Sequence, residues 1–343
     1  MAETIFHGGQ LDAAMARHGG RRCDWLDLST GINPDPWPGS GPVPALPAES
    51  WQRLPDRGGE AALLAAARDT YAVPPGRDML AANGTQALIE LLPSMLGAGR
   101  VAVLAPCYRE HVHVWRKAGS DVIELPREAQ VLPGGVRVLT VVNPNNPDAA
   151  ILPVERLKDL EGELAGRDGV LVVDEAFCDS MPEASFVPHM GDHAIVLKSF
   201  GKFFGLAGLR LGFAVGSPEW VARLRQRIGP WAVSGPALEI GRQAFEDRQW
   251  IEATRARLKR DSTVLAEVLG KNGLRVEGIH PLFVFARHER AAAIAEALAV
   301  RHVLVRPFDE LPHHLRFGLC RDAAGLARLD AALSRVMAEV GHG

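Results

Sequence analysis

From about residue 57 onward, apolar and polar positions follow two alternating rhythms. Short, nearly uninterrupted apolar runs occur at Met79–Ala82, Val101–Leu104, Val136–Val142, Val170–Val173, Ala194–Leu197 and Leu211–Val215. Segments 59–71, 85–96, 108–118 and 153–165 accompany them and place apolar residues every three or four positions, the spacing of one helix face. Strands that are apolar throughout are buried on both faces. The pattern therefore predicts an α/β fold, with a mostly parallel central sheet flanked by helices.

The rhythm changes near residue 217. Arg/Ala/Leu-rich segments at 217–228, 236–270 and 290–300 read as helices, and short runs at 274–276, 282–286, 303–305 and 315–319 read as strands. These predict a smaller α+β domain. Residues 34–55 hold seven prolines and predict an extended connection, because proline fits neither a helix interior nor a central strand. The expected organisation is an N-terminal arm and linker at 1–47 belonging to the small domain, a large domain at 48–216, and the rest of the small domain at 217–343.

Composition narrows the class. With 343 residues, 47% of them hydrophobic, the chain can bury a large core. A formal net charge of -3 gives no electrostatic case for a nucleic-acid partner. The opening MAETIFHGGQ has no basic or apolar leader pattern, and no apolar run approaches the ~20 residues of a membrane span. A cytoplasmic protein without a membrane partner is expected. Cys23, Cys107, Cys178 and Cys320 form no CxxC, so neither a zinc site nor a disulfide framework is indicated. His111 and His113 are two apart, which splits them between helix faces, and His313 and His314 are adjacent. No metal is expected.

The candidate chemistry lies in the loops that follow the apolar runs, where ligands of parallel sheets sit. NGTQ follows Met79–Ala82, PCY follows 101–105, NPNNP follows 136–142, DEAF follows 170–173 and SFGK follows 194–197. Gly84 and Thr85 start a predicted helix, where backbone N–H groups either bind an anion or simply close an Asn-Gly turn. Asp174 emerges from a buried strand and needs a cationic partner: an arginine, or the protonated nitrogen of a pyridine ring. Asn146 is a turn residue or a donor to a phenolate oxygen, and Tyr108 is core or a platform for a flat ring. The stretch KSFGKFFGLAGLRLGF, residues 198–213, carries two of only six lysines in a chain with 32 arginines. Ser199 and Arg210 in it add a hydroxyl and a guanidinium suited to a phosphate. Together these groups describe phosphate, pyridinium, phenolate and aromatic face with a lysine nearby, which is pyridoxal phosphate.

In these motifs the chain resembles the fold-type I pyridoxal-phosphate enzymes, in the branch of histidinol-phosphate aminotransferases and threonine-phosphate decarboxylases. The family lysine has a serine three residues before it and an arginine eight after. Ser199, Lys202 and Arg210 match, which selects Lys202 and leaves Lys198 as a surface or rim lysine at a strand end. The resemblance implies that Lys202 attaches the cofactor and that Asp174 pairs with the ring nitrogen. It implies that Asn146 bonds the ring hydroxyl, that Tyr108 stacks on the ring, and that Gly84, Thr85, Ser199 and Arg210 hold the phosphate. Arg316 in HLRFGL matches the family arginine for the substrate carboxylate. Two positions depart from the family: Phe177 stands where a tyrosine is frequent, and Leu54 in RLPD stands where a tyrosine reaches the neighbouring subunit's phosphate.

The N-terminus narrows the resemblance. His7-Gly8-Gly9 followed by LDLSTGINP at 26–34 is similar to the opening of threonine-phosphate decarboxylases of cobalamin synthesis. A substrate with a carboxylate and a phosphate needs two cationic anchors, and Arg306 and Arg316 can supply them beside His7, Gly8, Gly31 and Asn146. The resemblance thus implies decarboxylation of a phosphorylated amino acid by a homodimer. Two alternatives stay open from sequence: an aminotransferase acting on a compound such as histidinol phosphate, which would share every cofactor residue, and a non-catalytic ligand-sensing module.

Overall fold

The computed structural model describes residues 8–38, 45–97 and 99–341. Among these residues thirteen strands follow in chain order. They are β1 (Leu26–Asp27), β2 (Asp78–Ala82), β3 (Arg100–Ala105), β4 (Asp121–Pro126), β5 (Val136–Val142), β6 (Val170–Asp174), β7 (Ala194–Ser199), β8 (Gly212–Gly216), β9 (Arg275–His280), β10 (Phe283–Arg287), β11 (Val303–Leu304), β12 (Arg306–Pro307) and β13 (His314–Gly318). The chain divides into two compact units.

The larger unit comprises 36–146 and 150–253. Its seven-stranded sheet has the order β2-β8-β7-β6-β5-β3-β4. Every pairing from β7 through β4 is parallel, and β8 alone runs against both of its neighbours. The expected mostly parallel sheet is therefore present. Helices Gly84–Leu96 and Pro218–Ile228 send Leu88, Leu92, Val221 and Leu224 into a core with Val103, Val172, Ile195 and Leu197. The opposite face is aromatic: Tyr71, Phe200, Phe213 and Phe245 pack there with ring centroids 5.4–6.0 Å apart.

The boundary at 216 needs correcting. Helices Pro218–Ile228 and Gly235–Glu246 belong to the larger unit, because both dock on its sheet and helices. Serines cap both helix starts: Ser217 Oγ accepts from Trp220 N and Ser234 Oγ from Ala237 N. A Cβ on Gly241 would stand 2.6 Å from Leu211 and 2.9 Å from Leu63, so that helix lies directly against its neighbours. Residues 36–38 and 45–47 also cluster with this unit rather than with the N-terminal arm. The proline-rich connection carries one helical turn, Glu49–Gln52. A Cβ on Gly235 would meet Ser50 O at 2.3 Å, which places this turn tightly on the start of the helix Gly235–Glu246.

The second unit comprises residues up to Asp35, Pro147–Ala149 and residues from Thr254 onward. It has a four-stranded antiparallel sheet, β12-β13-β10-β9, and a parallel β1-β11 pair. The single helix expected at 236–270 is two, Gly235–Glu246 and Arg248–Lys271. They break at Asp247, whose carboxylate accepts from Trp250 N and from Trp37 Nε1. Helices Leu11–His18 and Ala323–Gly341 and the edge strand β4 were not expected from sequence. No helix of the described residues is long and apolar enough to cross a membrane.

Candidate active site

The carboxyl end of the larger unit's sheet gathers most of the singled-out residues. After β2, Gly84 takes φ +76° and opens the helix Gly84–Leu96. A Cβ at Gly84 would lie 2.8 Å from Arg210 Nη2, so the guanidinium rests against bare backbone. A Cβ at Gly212 would lie 2.6 Å from Thr85 N, and Gly212 is the register partner of Ser199. Gly84, Thr85, Ser199 and Arg210 thus converge. Ser199 precedes the short helix Phe200–Phe203, yet its hydroxyl makes no capping bond. Arg210 holds a left-handed backbone, φ +53° and ψ +55°, a strained state for a side-chain-bearing residue and one concentrated at functional sites. A positive helix end, a guanidinium and a hydroxyl around a space cleared by two glycines are the donor set that a phosphate monoester needs.

Asp174 ends β6 and is buried. Its Oδ1 accepts from Ala176 N at 3.0 Å, and its Oδ2 lies 2.8 Å from His111 Nε2. The neighbour inside the protein is therefore a histidine, which sequence reasoning had weighed only as a metal ligand. With Asp174 ionised, His111 donates from Nε2. Its Nδ1 is buried without a hydrogen-bond partner among the described residues. The detectable signal was the spacing of Tyr108 and His111, three apart at a helix start. Their rings meet edge to face at 6.1 Å. Tyr108 donates its hydroxyl to Gln86 Oε1 at 3.2 Å, and Gln86 in turn donates to Glu110 at 3.2 Å. Gln86 stood unused in the NGTQ motif.

The three asparagines of NPNNP divide their labour. Asn143 exchanges two bonds with Leu152, and Asn145 donates to Pro106 O at 2.8 Å. These two hold the loop. Asn146 is half-buried on the same loop.

The two lysines differ sharply. Lys202 sits on the helix Phe200–Phe203, half-buried, with Nζ 5.8 Å from the Phe177 ring centroid. Lys198 is not a rim residue, and that expectation is overturned: it belongs to β7 and is only 2% exposed. Its Nζ lies 3.1 Å from Glu175 Oε2, 2.9 Å from Asp179 Oδ1 and 4.5 Å from the Tyr71 ring centroid. Burial alone would favour the neutral amine. The carboxylates of Asp179 and Glu175 outweigh it and hold the ammonium well above the ordinary lysine range. Such a lysine is protonated and is no nucleophile.

The second unit brings together Arg306, Arg316 and the glycine motifs. Arg306 and Arg316 are register partners across β12 and β13. Arg316 is buried, stands 5.0 Å over the Phe283 ring, and donates to Ser29 O at 3.2 Å. Burial first, and then the neighbouring charge of Arg306, push its pKa down to about 9. Two like charges side by side favour an anion between them. Gly9 N donates to Ser29 Oγ at 2.8 Å, and a Cβ on Gly8 would meet Ser29 O at 2.4 Å. A Cβ on Gly318 would meet Thr30 O at 2.2 Å. Gly31 is buried in the same segment. The HGG and STG motifs are therefore two halves of one construction around Arg316. His7 lies outside the described residues.

The sequence model of the aminotransferase class I and II family matches residues 24–333. A threonine-phosphate decarboxylase of Pseudomonas aeruginosa is 44% identical, over 95% of this chain and 96% of that protein. Another, of Sinorhizobium sp, is 42% identical over 98% of this chain and 99% of that protein. Among solved structures, histidinol-phosphate aminotransferase from Sinorhizobium meliloti in complex with pyridoxal-5'-phosphate superposes with a TM-score of 0.79. It is 19% identical and covers 98% of this chain and 96% of that one, which speaks to the fold alone. With a family match that spans all but the two ends of the sequence, the chain belongs to the class I and II aminotransferases.

Proposed function

We propose that this chain is a pyridoxal-phosphate-dependent carboxy-lyase. It converts L-threonine O-phosphate to (R)-1-amino-2-propanol O-phosphate for cobalamin synthesis. The observation that carries this reading is the cross-strand pair of half-buried Arg306 and buried Arg316, seated on the glycine motifs, in a chain whose near-full-length relatives bear that decarboxylase name.

Gly84, Thr85, Ser199 and Arg210 would hold the cofactor's phosphate, Asp174 its ring nitrogen, Asn146 its ring hydroxyl and Tyr108 its face, while Lys202 would attach it covalently. When bound, the cofactor supplies a sink for the electron pair left on the substrate's Cα. Asp174 keeps the ring nitrogen protonated, and the buried His111 keeps Asp174 aimed. Arg306 and Arg316, with the Gly8 and Gly31 segments beside them, would bind the substrate's carboxylate and phosphate. The arginine that grips the carboxylate would fix the orientation of that group at Cα, and so would bear on the choice between loss of CO₂ and loss of a proton. Once CO₂ has left, Cα takes up a proton, and Lys202 Nζ is the chain's own group for delivering it.

The working form in this reading is a homodimer. Trp51, Leu54 and Trp231 are 69%, 66% and 60% exposed on the larger unit, and a second copy would cover them. The deciding experiment incubates the purified protein with L-threonine O-phosphate and follows CO₂. The alternative, an aminotransferase, would turn over histidinol phosphate with 2-oxoglutarate and release none.

A further inference from the structure

Strand alternation sets two groups of residues back to back at the ends of β6 and β7. Asp174 and Ser199 share the face of Val172, Ile195 and Leu197, while Glu175 and Lys198 turn to the opposite face. On that far side Lys198 bridges Glu175 and Asp179. Glu175 also accepts from Ser185 Oγ at 2.7 Å and from Phe186 N at 2.5 Å. Tyr71 donates its hydroxyl to Asp179 Oδ2 at 3.1 Å. All of these side chains are buried.

A buried cluster of one lysine and two carboxylates is a poor way to gain stability. Desolvation consumes most of the Coulombic attraction, and apolar replacements of the same volume are frequently as good or better. Its location gives it another use. Glu175 is the residue after Asp174, and its backbone N–H closes the last bond to β7 at Leu197 O, 2.8 Å. Lys198 is the residue before Ser199 and stands four before Lys202. We infer that Glu175 and Lys198, the two members of this cluster that adjoin the strand ends, are positioning residues for the cofactor site. Glu175, fixed at three points, sets the backbone from which Asp174 reaches the ring nitrogen. Lys198 sets the backbone of Ser199 and the start of the helix bearing Lys202. A carboxylate acting on a ring nitrogen must be placed to within about 0.5 Å, and the end of a strand does not hold that tolerance by itself. This inference rests on the assignment of Asp174 and Ser199 to the cofactor.

Three variants test it. Glu175→Gln keeps the side-chain shape and leaves Lys198 paired with Asp179. Asp179→Asn removes the same charge from a residue that adjoins neither strand end. Asp174→Asn checks the assignment beneath both. The readouts are apoprotein melting temperature, the dissociation constant for pyridoxal phosphate, and the visible circular dichroism of the bound cofactor. Glu175→Gln is expected to bind the cofactor at least tenfold more weakly, with an altered dichroic band and a lower kcat at similar KM. Asp179→Asn should stay within about threefold. Should Glu175→Gln fail to fold, Ser185→Ala removes one of its anchors without touching charge and should weaken the cofactor about threefold. Unchanged affinity and dichroism in whichever of these two folds, or equal losses in Glu175→Gln and Asp179→Asn, would overturn the positioning role. Unchanged affinity and dichroism in Asp174→Asn would instead overturn the assignment on which it stands.

Discussion

His111 Nε2 and Asp174 Oδ2 lie 2.8 Å apart with both side chains buried. The imidazole thus holds the far side of the carboxylate, and Asp174 has one defined orientation. His111→Phe keeps the ring volume and removes the donor, leaving a buried carboxylate oxygen without its hydrogen bond, at a cost of about 1–3 kcal/mol. We expect kcat/KM to fall roughly 10- to 100-fold and cofactor affinity to drop with it. Near-wild-type turnover would mean that Asp174 does not depend on His111.

Reduction with borohydride should leave the pyridoxyl group on Lys202, as a peptide map would show. Lys202→Ala should carry no such label. Lys198→Met should lose stability by about 3–5 kcal/mol in urea titration, because two buried carboxylates would lose their ammonium. Label on Lys198 would reverse the assignment.

The arginine pair has a pH signature. Arg316 has its pKa lowered to about 9 in the folded chain, by burial and then by the charge of Arg306, against the much higher value of an ordinary arginine in the unfolded chain. The folded state therefore binds fewer protons than the unfolded between these values. The cost of burying its charge is present below about 9 and fades as pH rises from there toward the ordinary arginine range. Substrate anions need the charged form, so KM should rise as pH passes about 9. Arg306→Ala removes the neighbouring charge, which should move that rise to higher pH while costing about 2–5 kcal/mol of substrate interaction. A KM independent of pH up to 10 would count against Arg316 as an anchor.

Gly84→Ala places a methyl group 2.8 Å from Arg210 Nη2 at a backbone φ of +76°. The strain is about 1–2 kcal/mol, and the space lost is the proposed phosphate seat. Cofactor affinity should fall at least tenfold while the apoprotein still folds. Equal affinity would place the phosphate elsewhere.

Exposed Trp231 and Leu54 give a simple test of assembly. Sedimentation of the wild type should report a dimer at micromolar concentration, and Leu54→Asp with Trp231→Glu should shift it toward monomer. A wild-type monomer with full activity would refute the dimer.

Sequence reached the architecture because buried parallel strands leave little choice of residue. Val170–Val173 and Ala194–Leu197 are apolar at every position, and a strand there has no solvent face to disguise it. β4 escaped notice for the opposite reason: it is an edge strand whose exposed and half-buried positions mix Glu with Ile. The site residues at strand ends were legible because glycine, aspartate and lysine stand out beside apolar runs. Lys198 was misread because a lysine at a strand end looks the same in sequence whether solvent or two carboxylates await it. Asp179, which decides the matter, lies 19 positions away. His111 and Gln86 act through Asp174 and Tyr108, and contact with another side chain leaves no mark on spacing alone.

The reversed strand β8 has a consequence for how the enzyme could change. Because β8 returns antiparallel to β7, the segment that leaves Ser199 comes back to Gly212 at the same edge of the sheet. Lys202 at its start and Arg210 at its end stay together. A parallel β8 would have required a crossover delivering Arg210 to the other edge, roughly 17 Å away for a five-residue strand. The proposed covalent tether and anion clamp thus share a single loop of fixed span. An insertion between them would lengthen the tether's reach without moving the clamp, so this stretch should tolerate changes of side chain far better than changes of length.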